Sequence, residues 1–347
     1  MKALITGSGG LIGSACARTF GQHGWAVTGI DNDTRSRLFG PAASTKAVVE
    51  SLTEDVRGYQ HHALDIRDRE AMRELVGATR PALIVHAAAQ PSHDMAASIP
   101  HEDFEINAVG TLNLLTAARE FVPESPFCFV STNKVYGSHP NDLPLIETPT
   151  RWDYRDTPNG VDETMSVDQC LHSLFGASKL SADILCQEFG RYFGMPVGIF
   201  RGGCLTGPHH AAVELHGFLN YIVQCAVRRV PYVVNGYKGK QVRDQIHAVD
   251  VAELFLAFHA APRPAEVYNL GGGRENSISI LEAIAVLKDA GHTLEYSYRE
   301  TPRAGDHICY ISDVTKLRSH FPQWRPQRNL AQINAELIAH YERTARS

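Results

Sequence analysis

Through its first two hundred residues the chain alternates short apolar runs with longer amphipathic stretches. The apolar runs at 2–6, 25–30, 61–64, 82–87, 127–132 and 197–201 predict strands. Between them, the stretches near 11–22, 68–79, 102–121 and 171–193 predict helices. Strands and helices alternating at this spacing imply an α/β protein: a Rossmann-type, doubly wound parallel sheet with helices on both faces. The polar stretch 32–60 is longer than a tight unit of this kind needs and reads as an insertion.

After Arg201 the pattern loosens. A helix near 214–229 and a short strand at 232–234 lead to a turn holding Gly236 and Gly239. A helix from Asp250 to about Ala260 precedes a strand at 267–270, then come a helix near 278–290, short strands at 294–298 and 307–311, and C-terminal helices. The expected division is a sheet domain of 1–201 and 242–266, with a smaller α+β lobe of 202–241 and 267–347.

Composition narrows the class. With 347 residues, 44% hydrophobic and 20% charged, the chain can bury a large core. A net charge of −5 supplies no general attraction to nucleic acid or to an anionic membrane, and neither is expected as a partner. The cysteines at 16, 128, 170, 186, 204, 225 and 309 are scattered and never form Cys-x-x-Cys, so a disulfide framework and a structural zinc site are not expected. Met1-Lys2 runs straight into the first strand and no apolar run reaches membrane-spanning length, which predicts a cytoplasmic protein.

Local chemistry is more specific. Gly7-Ser8-Gly9-Gly10-Leu11-Ile12-Gly13 follows a strand and opens a helix, where unpaired N–H groups and the helix dipole can hold a pyrophosphate. About twenty residues on, the second strand ends at Asp31, whose carboxylate can bind both hydroxyls of a ribose and repel a 2′-phosphate; NAD is therefore expected over NADP. Arg35 and Arg37 lie near it, and the 32–60 insertion falls at the adenosine end. Asp65-Ile66 is placed either to meet the adenine amino group or to cap the next helix. Ala87-Ala88-Ala89-Gln90 offers small residues past which a cofactor could run, and His86 reads as a satisfied core histidine.

Longer motifs add a resemblance. They include Phe104-Glu105-Ile106-Asn107-x-x-Gly110-Thr111-Leu112-Asn113, Ser131-Thr132-Asn133-Lys134-Val135-Tyr136-Gly137 and Pro158-Asn159-Gly160-x-Asp162-Glu163. Further on stand His172-Ser173, Gly176-x-Ser178-Lys179, Gly239-Lys240-Gln241-Val242-Arg243-Asp244, Asn269-Leu270-Gly271-Gly272 and the stretch from Arg303 to Asp306. With these, nearly the whole chain resembles the extended short-chain dehydrogenase/reductases, and within them the CDP-paratose 2-epimerases. The resemblance implies an isomerase of nucleotide sugars: NAD withdraws hydride from a sugar carbon and NADH returns it to the opposite face. It also implies cofactor contacts from Gly7, Gly10, Leu11, Ile12, Asp31, Asn32, Arg35, Asp65, Ile66, Ala87, Ala88, Ala89, Asn107, Ser131, Lys179 and Arg201. Substrate contacts are implied at Gln90, Asn133, Asn159, His210, Arg243, Asn276 and Arg303, the two arginines on the diphosphate. A homodimer is implied through helices 102–121 and 171–193, with Leu112, Leu115, Leu180, Ile184 and Phe189 as apolar contributors.

The catalytic pattern departs from the family at one position. Thr132 and Lys179 stand where relatives place two of the three catalytic groups, but Phe175 stands where they carry tyrosine, one helical turn before the lysine. Phenylalanine carries no proton, and general acid–base catalysis contributes about 10²–10⁴ in rate. Three explanations stand open: another base or a changed reaction, an engineered substitution that traps a complex, or a binding relative that senses NAD without turnover. Candidate substitutes are His172, Glu163 and Cys204; the histidines at 209, 210 and 216 lack the companions of a metal site, and no metal is expected. A dehydratase is disfavoured, because Asn133-Lys134 follows Thr132 where an acidic pair would be needed.

Overall fold

The computed structural model describes residues 1–208, 217–303 and 305–346. In chain order its strands are β1 (Lys2–Thr6), β2 (Ala26–Ile30), β3 (Tyr59–His62), β4 (Leu83–His86), β5 (Phe127–Thr132), β6 (Leu145–Glu147), β7 (Trp152–Tyr154), β8 (Val197–Gly202), β9 (Cys204–Thr206), β10 (Tyr232–Asn235), β11 (Val242–His247), β12 (Glu266–Leu270), β13 (Ser277–Ser279), β14 (Tyr296–Arg299) and β15 (Cys309–Tyr310). The α-helices are α1 (Leu11–Gln22), α2 (Thr34–Phe39), α3 (Lys46–Asp55), α4 (Arg69–Thr79), α5 (His93–Ser98), α6 (Pro100–Phe104), α7 (Gly110–Phe121), α8 (Leu174–Phe193), α9 (Phe218–Arg228), α10 (Ala248–Ala260), α11 (Ile280–Asp289), α12 (Thr315–His320) and α13 (Leu330–Arg346).

One parallel sheet runs in the order β12-β8-β5-β4-β1-β2-β3. Its central strands read as unbroken apolar runs because both faces are covered: Ala3, Leu4 and Ile5 in β1 and Leu83, Ile84 and Val85 in β4 are fully buried. Residues of α1, α3 and α10 pack one face, and residues of α4, α7 and α8 pack the other. Strand order reverses between β1 and β4, which opens a crevice at their carboxyl ends.

Each expected strand of this sheet is present within two residues of its sequence bounds, β3 lying at 59–62 rather than 61–64. The stretch 32–60 is not a bare insertion. It holds α2 and α3, and α3 is the crossover that joins parallel β2 to β3. The helix expected at 102–121 is interrupted by a π-helical turn at Glu105–Val109 between α6 and α7. That wider turn holds Asn107, whose Oδ1 accepts the Gln90 N–H at 2.9 Å.

In the second lobe β11 pairs with β13 and β15 through its first half and with β9 through its second, while β10 pairs with β14. Leu219, Ile222, Val234, Leu287, Ile333 and Leu337 form its core. The expected division needs correction at two points. β11, expected in the sheet domain, belongs to the small lobe's sheet; β12 edges the large sheet, where Tyr268 stacks on Phe200 with centroids 5.5 Å apart. Val314, Leu317, Phe321 and Trp324 also pack into the large sheet's core, so residues after 266 are shared between lobes.

Candidate active site

The crevice at the strand ends is one cleft of about 460 Å³ that runs from the glycine loop to the small lobe. At its first end Gly7 has φ +67°, and a Cβ there would fall 2.8 Å from the Ala88 backbone nitrogen. A Cβ on Gly13 would fall 2.1 Å from Gly7 O, so the loop and α1 pack closely only without side chains. Gly10 is the N-cap of α1 and brings no side-chain cap, which leaves the first-turn N–H groups at Leu11 and Ile12 beside the cleft. The cradle fits a dinucleotide pyrophosphate.

Asp31 is fixed at the same end. Its Oδ2 accepts the Gly9 N–H at 3.0 Å, and its Oδ1 accepts the Asp33 N–H at 2.9 Å and the Thr45 hydroxyl at 2.8 Å. Asn32 and Arg35 line the cleft beside it, and burial outweighs the attraction of Asp31 to lower the Arg35 pKa. Asp65 and Ile66 also line the cleft, but Asp65 is not a helix cap; Asp68 caps α4 by accepting the Ala71 N–H at 3.1 Å. Asp65 instead receives Arg67 through Nε at 3.0 Å, and the Asn32 amide at 3.1 Å. Hydrogen bonding from Arg67 holds its carboxyl below the usual range.

Ala87, Ala88 and Ala89 line the cleft after β4, as the sequence suggested. His86 lies beneath them, fully paired in the core. Thr111 gives its hydroxyl proton to Asn107 O at 2.6 Å, so it accepts from His86 Nε2 at 2.9 Å, and Nδ1 accepts from Thr6 at 2.6 Å. Burial pushes His86 down to about 3, which keeps it neutral.

In the middle of the cleft Ser131, Thr132, Asn133, Phe175 and Lys179 meet. β5 delivers the first two, the turn that follows it delivers Asn133, and α8, capped by Ser173, delivers Phe175 and Lys179 one turn apart. Lys179 is buried; its Nζ donates to Val130 O at 2.8 Å and sits 4.2 Å from the centre of the Phe129 ring. Burial pushes it down to about 8. Thr132 Oγ1 accepts the Lys134 N–H at 3.2 Å, which turns the chain at the end of β5. Cys204 lies in the cleft wall, and burial pushes its thiol up to about 11, so it is protonated at neutral pH and unsuited as a base.

At the far end stand Arg243 and Arg303, with Lys134, Gln245 and Asp306. Arg243 pairs with Asp306 and donates to His307 O at 2.6 Å. Burial works against the Asp306 carboxylate, but Arg243 and Lys134 prevail and hold it down to about 2. Lys134 donates to Gly305 O at 3.0 Å and is pushed down to about 8 by burial. Gln245 is buried and lines the cleft beside Cys204. The sequence reading missed His93, Asp94 and Gln245, all of which line the cleft; no local spacing in the sequence marks them.

Seven expected site residues do not reach the cleft wall. Gln90 and Asn107 bond each other and the buried Asp103 carboxylate, which also accepts from Ser178 at 2.5 Å. Arg201 makes a two-pronged ion pair with buried Asp183, at 3.0 and 3.1 Å, inside the sheet layer. Glu163 accepts the Asn269 N–H at 2.6 Å and ties the lobes together; burial raises its pKa. His172 donates from Nε2 to Val135 O at 2.8 Å, away from the reacting centre. Asn159 is exposed, and Asn276 is spent on Arg328 O and the Leu330 N–H at 3.2 and 3.0 Å. Glu163, His172 and Asn276 thus satisfy backbone groups where loops cross. His209, His210 and His216 lie outside the described residues.

A seven-stranded parallel sheet with a glycine cradle, an aspartate after the second strand and a lysine beside the fifth defines a dinucleotide-binding α/β fold. Residues 3–271 match the model of the NAD dependent epimerase/dehydratase family. The chain belongs to this family, whose cofactor is NAD. It is 31% identical over 337 residues to CDP-paratose 2-epimerase of Salmonella typhi, covering 94% of this chain and 95% of that one. It is 29% identical over 352 residues to dTDP-glucose 4,6-dehydratase of Shigella flexneri, covering 94% and 89%. Among solved structures, UDP-glucose-4-epimerase from Stenotrophomonas maltophila, with bound NAD and formylated UDP-arabinopyranose, superimposes with a TM-score of 0.80 at 25% identity, covering 100% and 99%.

Proposed function

We propose that this chain is a nucleotide-sugar epimerase that oxidises a sugar carbon transiently and reduces it again from the other face. The observation that carries this reading is the continuity of the cleft. Its glycine cradle and Asp31 suit the dinucleotide, its middle holds Thr132, Asn133 and Lys179, and its far end holds Arg243 and Arg303 for a diphosphate. NAD held in the cradle supplies the redox chemistry. This chain's residues do the rest: Thr132 orients the sugar oxygen, and Lys179 faces the ribose and the reacting centre with positive charge. The likeness to CDP-paratose 2-epimerase supports epimerisation of that kind.

The dehydratase reading is weaker here. Asn133 is buried and Lys134 is bound to Gly305 O, so neither supplies the carboxylate that elimination of water would need at this place. The test incubates the protein with nucleoside-diphosphate sugars in deuterated water and follows product stereochemistry. An inverted carbinol centre without solvent deuterium in the product supports the epimerase; loss of water with deuterium uptake overturns it.

The same reading includes a homodimer built on α7 and α8. Phe104, Leu112 and Ile184 are 48%, 38% and 43% exposed along a shallow apolar groove between the two helices. Of the residues expected there, Leu115 and Phe189 are packed in the core instead.

A further inference from the structure

The adenosine end of the cleft is rimmed by polar side chains drawn from three loops. The chain leaving β2 supplies Asn32 and, from α2, Arg37; the chain leaving β3 supplies Asp65 and Arg67; the chain beyond β4 supplies Glu102 of α6. Arg37 holds both oxygens of the Glu102 carboxylate, its Nη1 reaching Oε2 at 3.4 Å. Glu102 also accepts Arg67 Nη1 at 3.4 Å, Arg67 donates from Nη2 to Asp65 at 2.6 Å, and Asp65 accepts the Asn32 amide at 3.1 Å. The contacts thus leave the chain at Asn32, cross two neighbouring loops and return to it at Arg37, closing a ring.

Two features make Arg37–Glu102 the link that matters. In the sheet β1 lies between β2 and β4, so a contact from α2 to α6 crosses the crevice at the carboxyl end of β1, where the cradle begins. Thr34 and Arg35 of α2 line the cleft there, together with Asp65, Ile66 and Ile106. The second feature is that α2 contributes no buried residue. A helix of six residues without an apolar face is not held by packing, so polar contacts at its two ends fix where it lies. At its start Asp33 accepts the Ser44 hydroxyl at 2.9 Å and the Thr45 N–H at 2.8 Å. Toward its end the tie is the pair of exposed Arg37 with Glu102.

We propose that Arg37 and Glu102 form a clamp on the dinucleotide: the pair ties α2 across the adenosine end of the cleft and has to part for the cofactor to enter or leave. Both residues stand outside the cleft wall. The pair therefore sets the rates of entry and exit and leaves the strength of binding to the cradle and Asp31. Because the tie is open to solvent, salt screens it and loosens the clamp. The inference concerns the cofactor end alone and is independent of which sugar the far end takes.

The test is kinetic and needs no turnover. Stopped-flow fluorescence with NADH as the probe gives its association rate on mixing and its dissociation rate on displacement by excess NAD. Arg37→Gln is expected to raise both rates about two- to fivefold, the effect of losing one exposed ion pair, with Kd nearly unchanged. Arg37→Glu sets like charges together and is expected to raise both rates further. Arg37→Lys keeps the charge without the two-pronged fork and is expected to fall between the parent and Arg37→Gln. Raising the salt concentration is expected to speed NADH release from the parent more than from Arg37→Gln. Thermal melts of all three variants are expected to match the parent, because Arg37 is exposed. Equal rates in the parent and Arg37→Gln overturn the clamp. Faster release without faster association also overturns it, since that result makes Arg37 a direct contact of the dinucleotide. A lowered Tm with weaker binding overturns it too, by making the pair a part of the scaffold.

Discussion

Asp31 and Gly9 face each other across the mouth of the cofactor cradle, the carboxylate Oδ2 accepting the loop N–H at 3.0 Å. One carboxylate thus both shapes the glycine loop and presents negative charge where an adenosine ribose would lie.

Cofactor choice follows from that charge. NAD is expected to bind more tightly than NADP, because a 2′-phosphate would meet Asp31. Asp31→Asn is expected to narrow the difference and, by weakening the Gly9 contact, to lower affinity for both. Titration calorimetry with the two dinucleotides checks this; equal binding of NADP by the unaltered protein contradicts it.

The two arginines at the far end are expected to separate. Arg303→Ala is expected to weaken nucleoside-diphosphate binding by about 1.5–3 kcal/mol with NAD affinity unchanged. Arg243→Ala is expected to weaken the same binding and also to lower Tm, because it leaves Asp306 without its ion-pair partner. Calorimetry and thermal melts on both variants check the contrast; a loss of NAD affinity in step with nucleotide affinity contradicts it.

Burial of Lys179 predicts a pH-dependent stability. Its pKa in the folded protein, about 8, lies below the ordinary 10.5, so the unfolded chain binds more protons between those values. Stability conferred through this group therefore rises with pH from about 8 to about 10.5, by at most about 3 kcal/mol. Lys179→Met is expected to flatten that rise. Urea denaturation at two pH values spanning the window measures the difference; an equal slope in the variant contradicts it.

Assembly is expected to depend on α7 and α8. Light scattering at micromolar concentration is expected to give about twice the monomer mass, and a paired Leu112→Glu, Ile184→Glu variant is expected to give the monomer mass with the fold retained. A monomer from the unaltered protein contradicts the dimer.

The parallel sheet was legible because its strands are buried on both faces and so read as continuous apolar runs, as Ala3–Leu4–Ile5 does. The cradle was legible because its glycines are contiguous in sequence. The crossover helix α3 was not, since only Leu52 of its residues is buried and its polar surface reads as loop. Glu163, His172 and Asn276 were misread because a side chain that satisfies a buried backbone group and one that meets a ligand are the same residue types. His93 went unnoticed for a different reason: its partners Phe175 and Ser173 come from a helix far along the chain, and no local spacing announces the pair.

The path of the chain between its layers also limits how such a protein can change. β9 and β11 lie in the small lobe, β12 returns to the edge of the large sheet, and the residues at 305–306 come back to close the cleft before Val314–Trp324 rejoin the large core. No single cut of the polypeptide separates the large sheet from the small lobe. A fusion at one seam therefore cannot exchange the small lobe, and changes to that side of the cleft have to be made within the segments already interleaved with the large sheet.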